Sequence, residues 1–171
     1  MNISKITNNI FLGGLHDYNN DEIKNYLLQH NIKSILTIWN YDKLDINYLN
    51  IDKNNYLYLY AMDTINQNIL KYFDITYNFI KKKYKENKNI LIHCYAGMSR
   101  SAIMVINFFM HYYDVNYELS ENIIYNKRKI QPNQSFVYQA KLYGYYKSIF
   151  LIIYLFHYFK INIGNINHNE L

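Results

Sequence analysis

His93-Cys94-Tyr95-Ala96-Gly97-Met98-Ser99-Arg100-Ser101 stands between two apolar runs, Asn89-Ile90-Leu91-Ile92 before it and Ala102-Ile103-Met104-Val105-Ile106 after it. The first run is short and aliphatic and reads as a strand. The second continues to Tyr113 without Gly or Pro and is apolar on nearly all sides, which reads as a buried helix over Arg100–Tyr113. The nine residues between them are a strand-to-helix turn. Cys94 is the sole cysteine of 171 residues, and Arg100 is one of two arginines. A turn of this form points successive backbone N–H groups inward, and the helix N-terminus adds unpaired donors, so the segment suits an anion. Gly97 allows a close backbone approach that other residues resist. Arg100, in the first helical turn, can hold two phosphate oxygens in fork geometry. The same positive potential favours thiolate over thiol at Cys94. A thiolate facing a bound phosphate is a nucleophile for covalent catalysis. Taken singly, such a cysteine is a small hydrophobe, such an arginine a surface charge and such a glycine a turn residue. The joint spacing carries the chemistry.

The rest of the composition sharpens that reading. The chain holds 21 Tyr, one Pro (Pro132), five Gly and many Asn, Ile and Lys, a pattern of codon bias in an AT-rich genome. Under such bias Lys displaces Arg and Asn displaces Gly, so a Gly and an Arg kept beside the only Cys weigh more. Half the residues are apolar, enough for one domain with a sizeable core. One cysteine excludes an intrachain disulfide framework and a multi-thiolate zinc site. No metal or other cofactor is expected. The charge of +5 is mostly Lys; it reads as a solvated surface, with steering of anionic substrates as a secondary effect. It lacks the clustered basic and aromatic pattern of a nucleic-acid binder. Met1-Asn2-Ile3-Ser4-Lys5 has no apolar signal core, and Asn2 is not the glycine that myristoylation requires. A cytoplasmic or nuclear location is expected.

Short apolar runs predict strands at Asn9–Leu12, ended by Gly13-Gly14, and at Ser34–Ile38, Tyr56–Tyr60 and Asn89–His93. Helical spacing predicts Asp21–His30, Gln67–Tyr84, Arg100–Tyr113, Tyr117–Lys129 and Ser135–Tyr146. Strands alternating with helices make an α/β domain, a sheet covered by helices. That domain is expected over residues 1–147, with 148–171 as an apolar extension and polar tail of unassigned role. Ser148–Phe159 carries no formal charge, yet is about half the ~20 residues a membrane-spanning helix needs. It reads as a continuation of the last helix, packed on the body. Weak surface or partner contact through Ile149–Phe159 is the alternative, and Ile161–Leu171 is expected to fray.

The pattern His-Cys-x-x-Gly-x-x-Arg-Ser resembles the signature of cysteine-dependent protein tyrosine phosphatases, and with Ala96 and Ser99 it resembles the dual-specificity branch, in its small atypical form. The resemblance runs from about Ile6 to Tyr146. Ile10-Phe11-Leu12-Gly13-Gly14 is similar to the family's opening strand and Leu-Gly turn, and Pro132-Asn133, Phe136 and Gln139 to its downstream segment. The resemblance implies a central mixed sheet flanked by helices. It implies hydrolysis of phosphotyrosine, and of phosphoserine and phosphothreonine, in phosphorylated proteins through a phospho-cysteine. Cys94 would attack, while Tyr95, Ala96, Gly97, Met98, Ser99 and Arg100 surround the phosphate. Ser101 would stabilise the leaving thiolate, and His93 would orient the loop. Asp63, in Ala61-Met62-Asp63 after the strand-like Tyr56–Tyr60, is similar in context to the family's general acid. Two rivals stay open. One is a phosphatase for a non-protein ester, a phosphoinositide or an RNA 5′-phosphate, against which the uncharged Tyr95, Ala96, Met98 and Ser99 argue. The other is a module that captures phosphoproteins without turnover, although such modules usually lose the Cys or the Arg.

Overall fold

A computed structural model describes the backbone of residues 1–164 and the side chains of residues 1–149. Five strands form one mixed sheet: β1 (Ile3–Lys5), β2 (Ile10–Gly14), β3 (Ile32–Trp39), β4 (Tyr56–Tyr60) and β5 (Asn89–Cys94), in the order β1-β2-β5-β3-β4. β1 is an antiparallel edge and the other four run parallel. Side chains alternate across the sheet. Ile90 and Ile92 join Leu36 and Ile38 in the larger core cluster, while Leu91 and Ile35 join the smaller one. Both faces are therefore apolar, as a parallel sheet covered on both sides requires.

Helix α1 (Asn20–Gln29) covers the smaller face with Ile23 and Leu27. Its start is set by a capping box in which Asn19 accepts from the Glu22 amide and Glu22 accepts from the Asn19 amide. The other face carries α2 (Phe73–Lys85), α3 (Arg100–Tyr112), α4 (Tyr117–Tyr125) and α5 (Gln134–Gly164). α3 lies at the centre: every residue from Arg100 to Met110 is buried.

The expected α/β architecture is present, with four differences of detail. β1 was not predicted. Gly13 and Gly14 do not end the strand but pair with His93 and Cys94 inside it. The helix predicted from Gln67 starts at Phe73, because Gln139 accepts from the Ile69 and Leu70 amides and holds that stretch as a 3₁₀ turn at Leu70–Tyr72. α4 ends at Tyr125 rather than Lys129, since the Lys127 and Arg128 amides both turn back to the Ile124 carbonyl. As expected for Ser148–Phe159, the last helix continues: α5 runs on beyond Tyr146 to Gly164. The expected packing or surface contact of Ile149–Phe159 lies outside the described side chains except at Ile149. Fraying was expected from Ile161, but residues 161–164 stay in α5 as its hydrogen-bonded backbone continues; residues 165–171 lie outside the described backbone.

Candidate active site

In a parallel sheet, sites form beyond the carboxyl ends of the strands, where the loops gather. Four strands deliver loops to that edge: His16 after β2, Asn40 and Tyr41 after β3, Ala61 to Asp63 after β4, and Cys94 to Ser99 after β5.

Cys94 ends β5 and is 1% exposed. Its Sγ accepts from the Gly97 amide at 3.2 Å and from Ser101 Oγ at 3.2 Å. Two donors thus converge on the one sulfur. Gly97 makes the first bond possible. Its φ is +71°, and a Cβ there would lie 2.2 Å from the Gly13 carbonyl carbon. The loop is thus pressed against β2, and Gly14 answers from the other side, where a Cβ would meet the Tyr95 carbonyl oxygen at 2.5 Å. The glycines of β2 serve close approach, not a turn.

Arg100 is buried in the first turn of α3. Its Nη1 donates to Asn40 Oδ1 at 2.8 Å and to the Ala61 carbonyl at 3.0 Å. Among the described residues its Nε is buried without a hydrogen-bond partner. Asp63 Oδ2 stands 3.5 Å from that Nε, an ion-pair distance that lacks hydrogen-bond alignment. The other Asp63 oxygen accepts from Ser99 Oγ at 2.8 Å, and Ser99 Oγ in turn accepts from the Asn133 amide at 3.0 Å. Ser99 was expected beside the phosphate; its hydroxyl is turned to Asp63 and aims that carboxylate.

His93 is fully buried. Its Nδ1 lies 3.3 Å from the Cys94 carbonyl, and its Nε2 lies 2.7 Å from Thr37 Oγ1. Trp39 packs edge-on against its ring. Burial pushes its pKa down to about 3, against a smaller upward pull from the Cys94 carbonyl. It is a neutral strut under the loop.

The structure therefore brings Cys94, Gly97, Arg100, Ser101, Asp63, Ser99 and His93 together. The ring of Tyr95 instead stacks between His16, at 4.0 Å, and Tyr41, at 5.6 Å. The Ala96 and Met98 carbonyls face away from the cradle, accepting from Arg128 and from the Gln131 amide.

Several site residues were not singled out from the sequence. Arg128 donates Nε to the Gly97 carbonyl at 2.8 Å, Nη2 to the Ala96 carbonyl at 2.9 Å, and Nη1 to Asn2 Oδ1 at 3.0 Å. Burial lowers its pKa and nearby Cys94 raises it. Asn40 fixes Arg100. Gln139, matched in sequence only as part of the family's downstream segment, fixes the stretch that follows Asp63. The scarcity of arginine was the one available signal, and it pointed to Arg128 as much as to Arg100.

The Dual specificity phosphatase, catalytic domain model matches residues 10–148. A protein of Amsacta moorei entomopoxvirus named as a tyrosine-protein phosphatase is 53% identical over 161 residues, covering 94% of this chain and 97% of that one. Among solved structures, the Cydia pomonella PTP-2 phosphatase superposes with a TM-score of 0.77 at 24% identity, covering 82% of this chain and 88% of that one. PTPMT1 in complex with PI(5)P superposes at 0.74 with 18% identity, over 87% and 98% of the two chains. Both likenesses are of fold. The chain belongs to the dual-specificity phosphatase family of the protein tyrosine phosphatase superfamily, and it is a phosphatase.

Proposed function

We propose that this phosphatase acts on phosphotyrosine, and on phosphoserine and phosphothreonine, in proteins through a phospho-cysteine intermediate. One observation carries the reading: on one strand-to-helix turn, Arg100 keeps a buried Nε with no hydrogen-bond partner among the described residues, and Cys94 Sγ receives two donors. A free donor for a phosphate and a sulfur held by hydrogen bonds thus belong to the same nine residues.

Cys94 Sγ attacks phosphorus in line with the ester oxygen. The S–P bond forms as the P–O bond breaks. Arg100 and the loop amides hold the three equatorial oxygens. Asp63, protonated, gives its proton to the departing oxygen. In the second step Asp63, now a carboxylate, takes a proton from water, whose oxygen attacks phosphorus. The S–P bond breaks, Ser101 donates to the thiolate that leaves, and inorganic phosphate departs. Ser99 aims the Asp63 carboxyl in both steps.

Rapid quench with a ³²P-labelled phosphotyrosine peptide tests the intermediate. Label is expected on the protein in the first turnover, and Cys94→Ser is expected to abolish both label and turnover. Full activity of Cys94→Ser overturns the mechanism. Asp63→Asn is expected to lower kcat by about 100-fold on alkyl phosphates and less on esters with good leaving groups; an unchanged rate removes Asp63 from the role. Serine, threonine and tyrosine phosphopeptides beside phosphoinositides test the substrate class. The uncharged loop positions favour the peptides, because Arg100 is the loop's only fixed charge. Faster turnover of phosphoinositides reverses the assignment.

A further inference from the structure

We propose that a cleft beside the phosphate loop is a subsite for a large apolar side chain next to the phosphorylated residue of a protein substrate. The proposal rests on the protein-phosphatase reading above and adds what the substrate must carry beside its phosphate.

The cleft has a volume of about 250 Å³. That falls below the ~300–1,000 Å³ of sites that enclose a whole small molecule, and suits one side chain. Leu15, Ile23 and Trp39 are its buried apolar lining, Tyr41, Leu44 and Tyr95 its more exposed lining, and His16, Tyr18 and Asn20 add polar atoms without a Lys or Arg. The cleft borders the site through two of its lining residues. Tyr95 follows Cys94 directly, and Trp39 packs its indole against the ring of His93 at 4.9 Å. The substrate residues flanking the phosphorylated one are therefore the ones offered to the cleft.

The occupant follows from the chemistry of the walls. Tyr41 and Tyr95 remain 52% and 38% exposed although they are large rings at the rim of a buried floor. Exposed aromatic edges above an apolar floor favour an apolar guest. Tyr95 is already engaged in two stacked pairs, with His16 and with Tyr41. His16 is itself anchored, with Nδ1 3.0 Å from the Tyr95 carbonyl. The stack is a fixed wall that a guest passes edge-on, which fits a side chain better than a nucleobase. Apolar surface continues on the acid loop, where Met62 and Ile65 are exposed. Such a rim offers no cationic partner to a polyphosphate and suits a peptide.

The test compares kcat/KM for phosphotyrosine peptides that differ only at the two flanking positions, with Phe, Ala or Asp at each. A small aryl phosphate runs alongside. Phe is expected to exceed Ala by about tenfold at one flanking position, mainly through KM. Tyr41→Ala, at an exposed residue, and Leu44→Asp are each expected to bring that ratio close to one. Equal rates across the wild-type peptide set overturn the subsite and leave the protein-phosphatase reading standing. A wild-type preference that both variants keep also overturns it. Hydrolysis of the aryl phosphate with no phosphopeptide turned over overturns the reading on which the subsite rests. A 5′-phosphorylated oligoribonucleotide that outruns every peptide, and loses that lead in Tyr41→Ala, assigns the cleft to a base and overturns the proposal.

Discussion

Arg100 ends the loop and reaches out to Asn40 and Ala61, whereas Arg128 reaches in to the loop's carbonyls, and both are more than nine-tenths buried. Arg128, at the back, gives its guanidinium hydrogens to the carbonyls of Gly97 and Ala96 and to Asn2. Around it the backbones of Gly13, Gly14 and Gly97 meet at distances that admit no Cβ. Arg100, at the front, is gripped by Nη1 alone, and its Nε has no hydrogen-bond partner. An unmade buried hydrogen bond costs roughly 1–3 kcal/mol. The fold carries that cost on one face of the loop and leaves no comparable gap on the other. The back supplies rigidity, and the front keeps donors ready for an anion.

Three experiments would break or sharpen this contrast. The largest effect is expected at the front. Arg100→Lys keeps the charge but loses the fork, so kcat/KM for an aryl phosphate should fall about 1,000-fold while Tm moves by only a few degrees. A large drop in Tm would move Arg100 into the structural group. Next comes the back. Gly97→Ala sets a methyl against the Gly13 backbone at positive φ, and should destabilise the fold by about 3 kcal/mol. Urea unfolding with an unchanged midpoint would refute the close contact between loop and β2. The smallest effect concerns His93. Burial holds its pKa down at about 3 in the folded chain, against ~6.5 when unfolded. Its contribution to stability is full above pH 6.5 and is lost progressively as pH falls toward 3, because only the unfolded chain takes up the proton. The slope is about 1.4 kcal/mol per pH unit, or about 2 kcal/mol by pH 5. His111, pushed down to about 4 chiefly by burial and then by Lys147, adds to the same acid slope. Unfolding midpoints followed from pH 7 to pH 5 measure it, and a flat profile in His111→Asn would mean that His93 titrates normally in the fold.

What could be read from sequence follows the same division. The front of the loop was legible because its residues are neighbours in the chain: Cys94, Gly97, Arg100 and Ser101 lie within one turn, and their spacing states their geometry. Asp63 was legible only through family context. The back was not legible, because Arg128 acts on carbonyls and side chains far away in sequence, and at the front Asn40 was hidden for the same reason, 60 residues from the Arg100 it holds. The three-residue β1 has no pattern of its own and exists because Phe11 to Gly13 offers it a partner. The composition does explain one choice. Asn31, Asn50 and Asn87 take positive φ where only the angle is required. Gly97 needs the angle and also has no room for a side chain, so there the bias toward Asn stops.

The clamp at the back also sets an order of events during synthesis. Arg128 bonds to Asn2 across a separation of 126 residues. A growing chain therefore makes Cys94 well before the arginine that locks its loop, and contacts of such span close late. Until Arg128 leaves the ribosome the loop lacks two of its ties, and phosphate binding belongs to the finished domain. A ribosome stalled between those positions would present the sole thiol on an unlocked loop. With no second cysteine in the chain to shelter it as a disulfide, an oxidant meeting it then could carry it past the sulfenic acid to forms that do not return.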